Sequence, residues 1–395
     1  MIKRSCIFLI IILFYCLNAL SCERQENAQA AKKELDQSKE SAKQDGLSSE
    51  KTAKTIQYKT VSHIDRQGIG IEAFRMLIPV EWEFEGGINW VLDNPGMPAT
   101  AGFRAYDPKG REEFEVFPNQ SFFWTNNQML FSMFPVGSRY FGNEVRPPVN
   151  PADAIKQIII PRFRSNTKGL RVISEKSLSD LSGTPGAGTQ AQPGVSVSAQ
   201  GAKVRIGYEL NGTQMEEEIY AVVESYMFQM QTMGGVVTNI NWMVDYIFSF
   251  KTEKGEFENS AKTFQTVAHS FKLNPRWFNK YSQVVESLIQ GQIRQIQSIG
   301  QLSRIISQTN NEISDMMMES YNNRQKVNDR IANDFSQYIR GVDEYSDPNK
   351  GAAVELPSGY DNAWSNNLGE YMLSDDPNFN PNIHSNLNWK KMKKK

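Results

Sequence analysis

The sequence predicts an α+β protein: an antiparallel sheet flanked by helices, followed by a long helical region and a small β unit. Three observations support this class. Alternating apolar and polar segments, separated by Asp, Asn, Pro and Gly turns, recur through residues 58–275. Two other segments in that range carry apolar residues at helical spacing. Residues 277–339 then contain no proline and only two glycines, which favours helix.

The strands are predicted from alternation and from the turns that bound it. The first runs through residues 68–79 and stops at Pro79, and Asn211-Gly212 is the strongest hairpin signal in the chain. The other predicted strands are 87–92, 100–106, 112–117, 170–174, 203–210, 215–231 and 240–250.

Two helices are predicted within the sheet region. The first, 151–160, begins with Pro151 and places Ile155, Ile158 and Ile159 on one face. The second, 260–271, carries Phe264, Val267 and Ala268 on one side. Between them, residues 179–202 are rich in Gly, Pro, Ser, Thr and Gln, so we expect an exposed loop insertion there.

The N-terminus carries a targeting signal. A short basic region at Lys3 and Arg4 precedes an apolar run, and small residues follow in Ala19-Leu20-Ser21-Cys22. This segment resembles a bacterial lipoprotein signal peptide, which implies removal of residues 1–21 and acylation of Cys22. Two alternatives stay open. Ala19 and Ser21 also suit ordinary signal peptidase, and an uncleaved anchor is possible, although roughly 15 apolar residues fall short of the ~20 that span a bilayer.

A tether is predicted to follow the anchor. Residues 22–57 are mainly Ala, Gln, Ser, Lys and Glu, a composition that cannot bury enough apolar surface to fold alone. Cys22 is the only cysteine after the predicted cut, so the mature chain forms no internal disulfide. We therefore expect a cell-envelope protein that is lipid-anchored to a membrane, at the periplasmic face or the cell surface.

The predicted sheet domain, residues 58–275, resembles a known group. Met76-Leu77-Ile78-Pro79 with Trp82, the strand at 217–221 and the closing helix at 266–271 look like the PsbP/Mog1 group. The resemblance implies an α/β/α sandwich that serves as a binding or assembly module. It implies no functional residue, and the 179–202 insertion departs from the compact form of that fold.

Residues 276–340 are predicted to form one helix of about 90 Å, at 1.5 Å per residue, or a hairpin broken near 309–311. Their apolar stripe would pack on the protein's own body, on a second copy as a coiled coil, or on a protein partner. The last unit, residues 341–395, reads as a small β-meander with a basic tail. The final lysines are expected to be a solvated tail, with contact to anionic headgroups or wall polymers as the alternative.

The candidate ligand site is an aromatic stretch with charged residues at its rim. We predict that Trp124, Arg139, Glu144 and Arg146 bind a ligand if these aromatic residues line a pocket; core packing is the alternative reading. The aromatic residues concerned are Phe114, Phe117, Phe122, Phe123, Trp124, Phe131, Phe134, Tyr140 and Phe141.

Several functions are disfavoured. Removing Lys3 and Arg4 leaves 41 basic and 44 acidic residues, a net charge of −3, so no nucleic-acid signature exists. His63, His269 and His384 form no metal-spaced pair, and no nucleophile elbow, phosphate loop or dinucleotide fingerprint occurs. Asp376-Pro-Asn378-Phe-Asn380 begins like a calcium loop but has Pro381 and Leu387 where an EF-hand needs Gly and Glu. We therefore predict no cofactor and no metal.

The sequence thus predicts a non-catalytic, membrane-anchored envelope lipoprotein that binds or assembles with an unknown partner. The alternative is an envelope hydrolase whose carboxylates are dispersed along the chain, because such acid/base pairs leave no local signature.

Replacing Cys22 tests the anchor. The Cys22→Ala chain should lose metabolic lipid label and appear in the soluble fraction, because the only acylation site is gone. Lipid labelling and membrane fractionation beside wild type measure both effects. A wild-type chain without label would contradict the lipoprotein interpretation.

Overall fold

Nineteen strands form three sheets in the computed structural model, which describes residues 55–92, 94–178, 195–289, 297–336, 342–383 and 385–395. The described residues belong to one unit, Lys54–Lys395. Cys22, most of the tether and loop residues 179–194 lie outside the described residues. The strands are β1 (Thr55–Ile64), β2 (Glu72–Pro79), β3 (Glu83–Trp90), β4 (Ala99–Tyr106), β5 (Glu113–Val116), β6 (Gln120–Thr125), β7 (Arg139–Tyr140), β8 (Asn143–Val145), β9 (Lys168–Ser177), β10 (Val195–Leu210), β11 (Thr213–Thr232), β12 (Gly235–Glu253), β13 (Lys272–Leu273), β14 (Val342–Ser346), β15 (Ala353–Pro357), β16 (Asn362–Ser365), β17 (Tyr371–Ser374), β18 (Lys390–Lys391) and β19 (Lys393–Lys394).

The helices lie between these strands and after them. They are α1 (Gln128–Met133), α2 (Pro151–Ala154), a π-helical turn (Ile155–Ile159), α3 (Ile160–Phe163), α4 (Phe257–Ser270), α5 (Pro275–Ile289), α6 (Ile299–Gln308), α7 (Asp315–Ser336) and a 3₁₀ turn (Pro381–Ile383). The consecutive elements α2, π turn and α3 form the helical segment 151–163. The protein is therefore a mixed α+β structure in which sheet predominates, and the predicted class is confirmed.

The large sheet is curled and has the strand order β3-β4-β5-β12-β11-β10-β9. One edge of β12 has two successive partners. It pairs with β5 through Phe248–Lys251 and with β6 through Asn239–Val244. A β-bulge separates these two stretches, because Tyr246 and Ile247 lie between the partners of Tyr220 and Val222. Tyr246 has φ 50°, a left-handed conformation that bulges favour.

The hairpin of β10 and β11 turns at Asn211 and Gly212, as predicted. Both residues have positive φ, 51° and 82°, the combination that a two-residue type I′ turn requires. The register then runs from Leu210↔Thr213 to Val195↔Phe228. The predicted loop 179–202 is therefore wrong for its last eight residues, which form β10, because β11 offers them a continuous backbone partner.

Residues 217–224 of β11 are buried, with side chains on both faces of the large sheet. Ile219 and Ala221 pack into one hydrophobic core with Ile155, under the helical segment 151–163. Tyr220 and Val222 belong to the opposite core, which contains Phe264 of α4 and residues of α5, α6 and α7. The predicted helix 151–160 is confirmed, since Ile155, Ile158 and Ile159 are all buried.

The chain termini of the folded unit meet in a second sheet, of order β13-β2-β1-β17-β16-β18. Thr55–Tyr58 of β1 pair with Tyr371–Ser374 of β17. The predicted small β-meander at 341–395 thus differs from the structure: three of its strands, β16, β17 and β18, complete this sheet. The third sheet, β15-β14-β19, uses the terminal lysines, and Lys394 and Lys395 lie 2.7 and 2.8 Å from Asp343 and Glu344. The tail therefore pairs as strands, while its lysine side chains are exposed to solvent as expected.

The helical region 276–340 is broken into α5, α6 and α7. A single 90 Å helix is wrong, since α6 ends at Gln308 and Thr309 caps it, with its N–H donating to Ile306. Leu288, Leu302 and Ile306 are buried in the same core as Phe264, so these stripe residues pack on the protein's own body. Self-association through this region stays a prediction.

Two buried carboxylates of β11 form ion pairs with cations on neighbouring elements. Glu217 accepts two hydrogen bonds from Arg164, at 2.6 and 2.8 Å, immediately after the helical segment 151–163. Burial alone would raise the pKa of Glu217, but the charge and hydrogen bonds of Arg164 hold it below its usual value. Glu218 on the other face accepts from Arg205 at 2.9 Å and Lys203 at 3.1 Å.

Glu224 lies where α7 crosses the sheet. Arg324 of α7 lies 2.8 Å from Asp245 of β12, and Glu224 Oε1 is buried without a hydrogen-bond partner among the described residues. Burial raises the pKa of Glu224 to about 7, and the negative charge of Asp245 adds to the increase while Arg324 opposes it. The folded protein therefore holds a carboxyl that resists ionisation.

The Glu224→Gln variant should change the pH dependence of stability. The folded state binds the Glu224 proton more tightly than the unfolded state, so this proton's stabilisation is fully present below pH 4.5 and is lost as pH rises through about 7. The amide mimics the protonated acid, so the variant should gain up to about 3 kcal/mol in free energy of unfolding at pH 8 and under about 1 kcal/mol at pH 5. Denaturant unfolding at both pH values measures this, with exposed Glu209→Gln as control. Equal gains at both pH values would contradict the assignment.

Candidate functional site

The predicted site residues lie at one end of the large sheet, where β6 pairs with β12. Trp124 of β6 is opposite Ile240, and Phe122 is opposite Trp242. The rings of Phe122 and Trp242 stack with centroids 4.2 Å apart, and Trp242 Nε1 donates a hydrogen bond to the Arg146 carbonyl at 2.9 Å. The buried Trp242 thereby holds the backbone of Arg146 in place.

Glu144 and Arg146 are brought together, as the predicted rim requires. Arg146 Nε donates to Glu144 Oε1 at 2.9 Å, and Arg162, near the end of the helical segment 151–163, contacts the other carboxylate oxygen. Arg162 also lies over the Phe122 ring at 5.6 Å. Glu144 thus bridges two guanidinium groups, and the cluster keeps a net positive charge. Arg162 was not among the predicted residues, since nothing in the local sequence places it near residue 144.

Arg139 is placed differently from the other three residues. It lies opposite Glu144 in the β7–β8 ladder, but its guanidinium donates to the Gly142 carbonyl at 3.2 Å and is exposed. Its charge therefore faces solvent at the edge of the site.

The aromatic stretch divides into core and surface. Phe114, Phe117, Phe122 and Phe123 are buried, as the core alternative expects. Beyond them, Trp124 meets Phe131 edge to face at 5.3 Å, and Tyr140 contacts Phe123 and Phe134 at 4.4 and 5.0 Å. These outer rings cluster on the surface around α1 and β7. The cavity of about 470 Å³ that the structure shows lies elsewhere, between β2 and α4, and none of the four predicted residues lines it.

Exposed apolar side chains also occur on α1, around β7 and near the tip of the β11–β12 hairpin, and we call this set of residues the apolar end. Asn126, two residues after Trp124, exchanges backbone and side-chain hydrogen bonds with Thr238 and Val236 near that tip. This contact joins α1 and β7 to the tip. The apolar end comprises the exposed residues Met129, Met133, Val136, Phe141, Phe228, Met230, Met233 and Val236.

The hairpin tip projects beyond its neighbours. β10 begins at Val195 opposite Phe228, so residues 229–232 of β11 have β12 as their only described strand partner. Phe141 is 74 % exposed, Met129 72 % and Met230 59 %, values far from those of core residues. Residues 225–244 contain no Asp, Glu, Lys or Arg. This uncharged run of twenty residues is the sequence signal that could have indicated the exposed apolar tip, but the same residues also fit the pattern of ordinary strands.

The segment that begins like a calcium loop forms turns in the structure. Asp376 and Asn380 accept hydrogen bonds from the backbone N–H groups of Asn378 and Asn382, at 2.9 and 3.0 Å, so they form Asx turns. Within the described ranges, no group of three His, Cys, Asp or Glu side chains is arranged to hold a metal ion. Among those same residues, no helix has the length and hydropathy to cross a membrane.

Comparison with solved structures gives weak structural likenesses, of which LpqN is an example. No protein-family model matches the chain, and no curated protein matches it. The crystal structure of LpqN, described as involved in cell envelope biogenesis of Mycobacterium tuberculosis, is 11 % identical with a TM-score of 0.21. The match covers 55 % of this chain and 92 % of that chain. A similarity of this size carries no functional information.

Proposed function

We propose that this protein is a non-catalytic lipoprotein of the cell envelope, anchored through acylated Cys22, whose folded unit docks on the bilayer through the apolar end. The observation that carries the proposal is the uncharged, Met- and Phe-rich hairpin tip beside exposed Phe141 and Met129. Clusters of exposed large apolar residues commonly mark protein or membrane interaction surfaces. The finer expectation of a PsbP/Mog1-like binding or assembly module belongs to this proposal as well.

The bilayer is the favoured partner because the predicted anchor supplies it. Between Cys22 and Thr55 lie 32 residues, which span at most about 110 Å when fully extended. The folded unit is therefore held within reach of the lipid surface at high effective concentration. A tip that carries no charged residue enters the headgroup boundary without desolvating an ion.

The energies are adequate for reversible docking. Burying a Met, Phe or Val side chain contributes about 1.5–3 kcal/mol, so three such residues at the tip supply roughly 5 kcal/mol or more. Arg139, exposed beside Phe141, would meet anionic headgroups, as cationic residues do at the rim of interfacial segments. Trp124 and Tyr140 supply the amphipathic rings that favour the interface.

The buried carboxylates support a non-catalytic role over a dispersed-carboxylate hydrolase. Glu115 and Glu217 share Arg164, and Glu218 is held by Lys203 and Arg205. Each of these acids lies inside the sheet and is committed to an ion pair that neutralises a structural cation. Hydrolase activity stays the alternative, and turnover on an envelope substrate would establish it.

Vesicle binding by the mature chain without its acylated cysteine tests the docking surface. Residues 23–395 should cosediment with vesicles of phosphatidylethanolamine and phosphatidylglycerol, because the apolar end alone suffices for contact. The triple variant Phe141→Ser, Met230→Ser, Met233→Ser should lower the partition coefficient at least ~10-fold, as losing about half of that burial implies.

The matched control replaces exposed apolar residues elsewhere. Leu368 and Ile383 are each 67 % exposed and lie outside the apolar end, so Leu368→Ser with Ile383→Ser should leave vesicle binding unchanged. Both variants should keep the wild-type unfolding midpoint, because the substituted side chains are exposed. Equal loss of binding in both variants, or no binding by wild type, would overturn the docking surface.

A further inference from the structure

A polar cleft lies on the side of the second sheet, where β1 and β2 meet the end of α4, α7 and the third sheet. Its volume is about 470 Å³, within the range of small-molecule sites. The residues that bring chemistry to it are Arg75, His269, Lys350, Asp347, Glu355 and Tyr371. We call it the His269 cleft. It is independent of the apolar end and of the bilayer proposal.

His269 lines this cleft with an unsatisfied nitrogen. Its side chain is 6 % exposed, and Nδ1 lies 3.0 Å from Glu355 Oε2. The hydrogen bond from His269 lowers the pKa of Glu355 below its usual value. When Nδ1 of an imidazole donates a hydrogen bond, the second ring nitrogen is available as the acceptor in the corresponding tautomer. His269 Nε2 is buried and has no hydrogen-bond partner among the described residues, an arrangement that is unfavourable unless a ligand completes it.

The carboxylates around the cleft are already engaged. Asp347 accepts hydrogen bonds from Ser365 at 2.8 Å, Tyr371 at 2.9 Å and the Asn349 N–H at 2.8 Å. Although burial would raise the pKa of Asp347, these bonds hold it below its usual value. The other two acids pair with lysines: Asp329 lies 3.6 Å from Lys272, and Glu344 lies 2.8 Å from Lys395.

Two cations at the cleft are less fully neutralised. Arg75 projects from β2 and is exposed, and no described residue forms an ion pair or side-chain hydrogen bond with its guanidinium. Lys350 Nζ donates to the Tyr371 hydroxyl at 3.1 Å rather than to a carboxylate. Burial lowers the pKa of Lys350, Asp347 opposes this decrease, and the positive charge of Arg75 adds to it. The two cations therefore repel each other across the cleft.

We propose that the His269 cleft binds a small organic anion, whose carboxylate or phosphate lies between Arg75 and Lys350 and whose hydroxyl donates to His269 Nε2. An oxyanion there relieves the repulsion of the two cations, and guanidinium groups bind carboxylate and phosphate with paired hydrogen bonds. The hydroxyl satisfies the buried ring nitrogen. Arg75 and Lys350 thus supply affinity for the oxyanion, and His269 orients the ligand through its hydroxyl.

Calorimetric titration of the mature chain with malate and with glycerol 3-phosphate tests the anion site. At least one should bind with a millimolar or lower Kd, and the stronger of the two identifies the preferred oxyanion. Glycerol at the same concentration should not bind. Arg75→Gln and Lys350→Gln should each weaken binding at least ~10-fold, since each removes a charged hydrogen-bond donor.

Arg66→Gln and Lys109→Gln are matched controls, because both residues are exposed and lie outside the cleft lining. Their affinities should equal that of wild type. Arg75 is itself exposed, so its variant is expected to fold, and circular dichroism checks this. Failure of both anions to bind wild type, or equal binding by Arg75→Gln and wild type, would overturn the proposal.

The hydroxyl contact has its own readout. Wild type should bind glycerol 3-phosphate about 10-fold more tightly than inorganic phosphate, because only the former reaches His269. His269→Gln keeps an acceptor and should retain part of this preference, whereas His269→Phe should lose it. Equal preference in wild type and His269→Phe would contradict the role of the ring nitrogen.

Discussion

The pairing of carboxylates on β11 is the constraint on which the rest of the structure depends. Residues 217–224 of this strand are buried, yet they include Glu217, Glu218 and Glu224. A buried acid without a partner is strongly destabilising, so each of these side chains requires a cation or a proton at a fixed place. Glu217 thereby fixes Arg164 after the helical segment 151–163, Glu218 fixes β10, and Glu224 lies where Arg324 of α7 reaches Asp245. These ion pairs therefore help to specify both the register of β11 against β10 and the packing of the helical segment 151–163 on the sheet.

The same strand explains why the apolar end exists. Up to Phe228, β11 has β10 on one side and β12 on the other. Beyond Phe228, β12 is the only strand partner among the described residues, and the side chains of β11 change from buried acids and aliphatic residues to exposed ones that include Met230. The covered part supplies rigidity, and the uncovered part supplies contact surface. The His269 cleft arises at a different junction, where strands from both ends of the folded unit meet, so the proposed membrane contact and the proposed ligand site use separate surfaces.

The sequence predicts features with local causes and misses those that depend on distant partners. Asn211-Gly212 determines its hairpin through two positive φ angles, and the isoleucine spacing after Pro151 determines its helix. Residues 195–202 have a loop-like composition but pair with β11, and β1 pairs with β17 about 300 residues later, so neither follows from a local pattern. At the candidate site, Glu144 and Arg146 are close in sequence, and the sequence predicts both. Arg162 and the hairpin tip reach that site only through the fold. In the same way, only the fold brings Arg75 and Lys350 to one cleft.

Hydrogen exchange of the acylated chain on vesicles tests the central claim, that a rigid sheet presents an uncovered hairpin tip to the membrane. Compared with the free mature chain, bound protein should show slower exchange in residues 128–142 and 228–236, while residues 215–224 are protected equally in both states. Slower exchange confined to other segments, or unchanged exchange at the tip of a membrane-bound chain, would contradict the account.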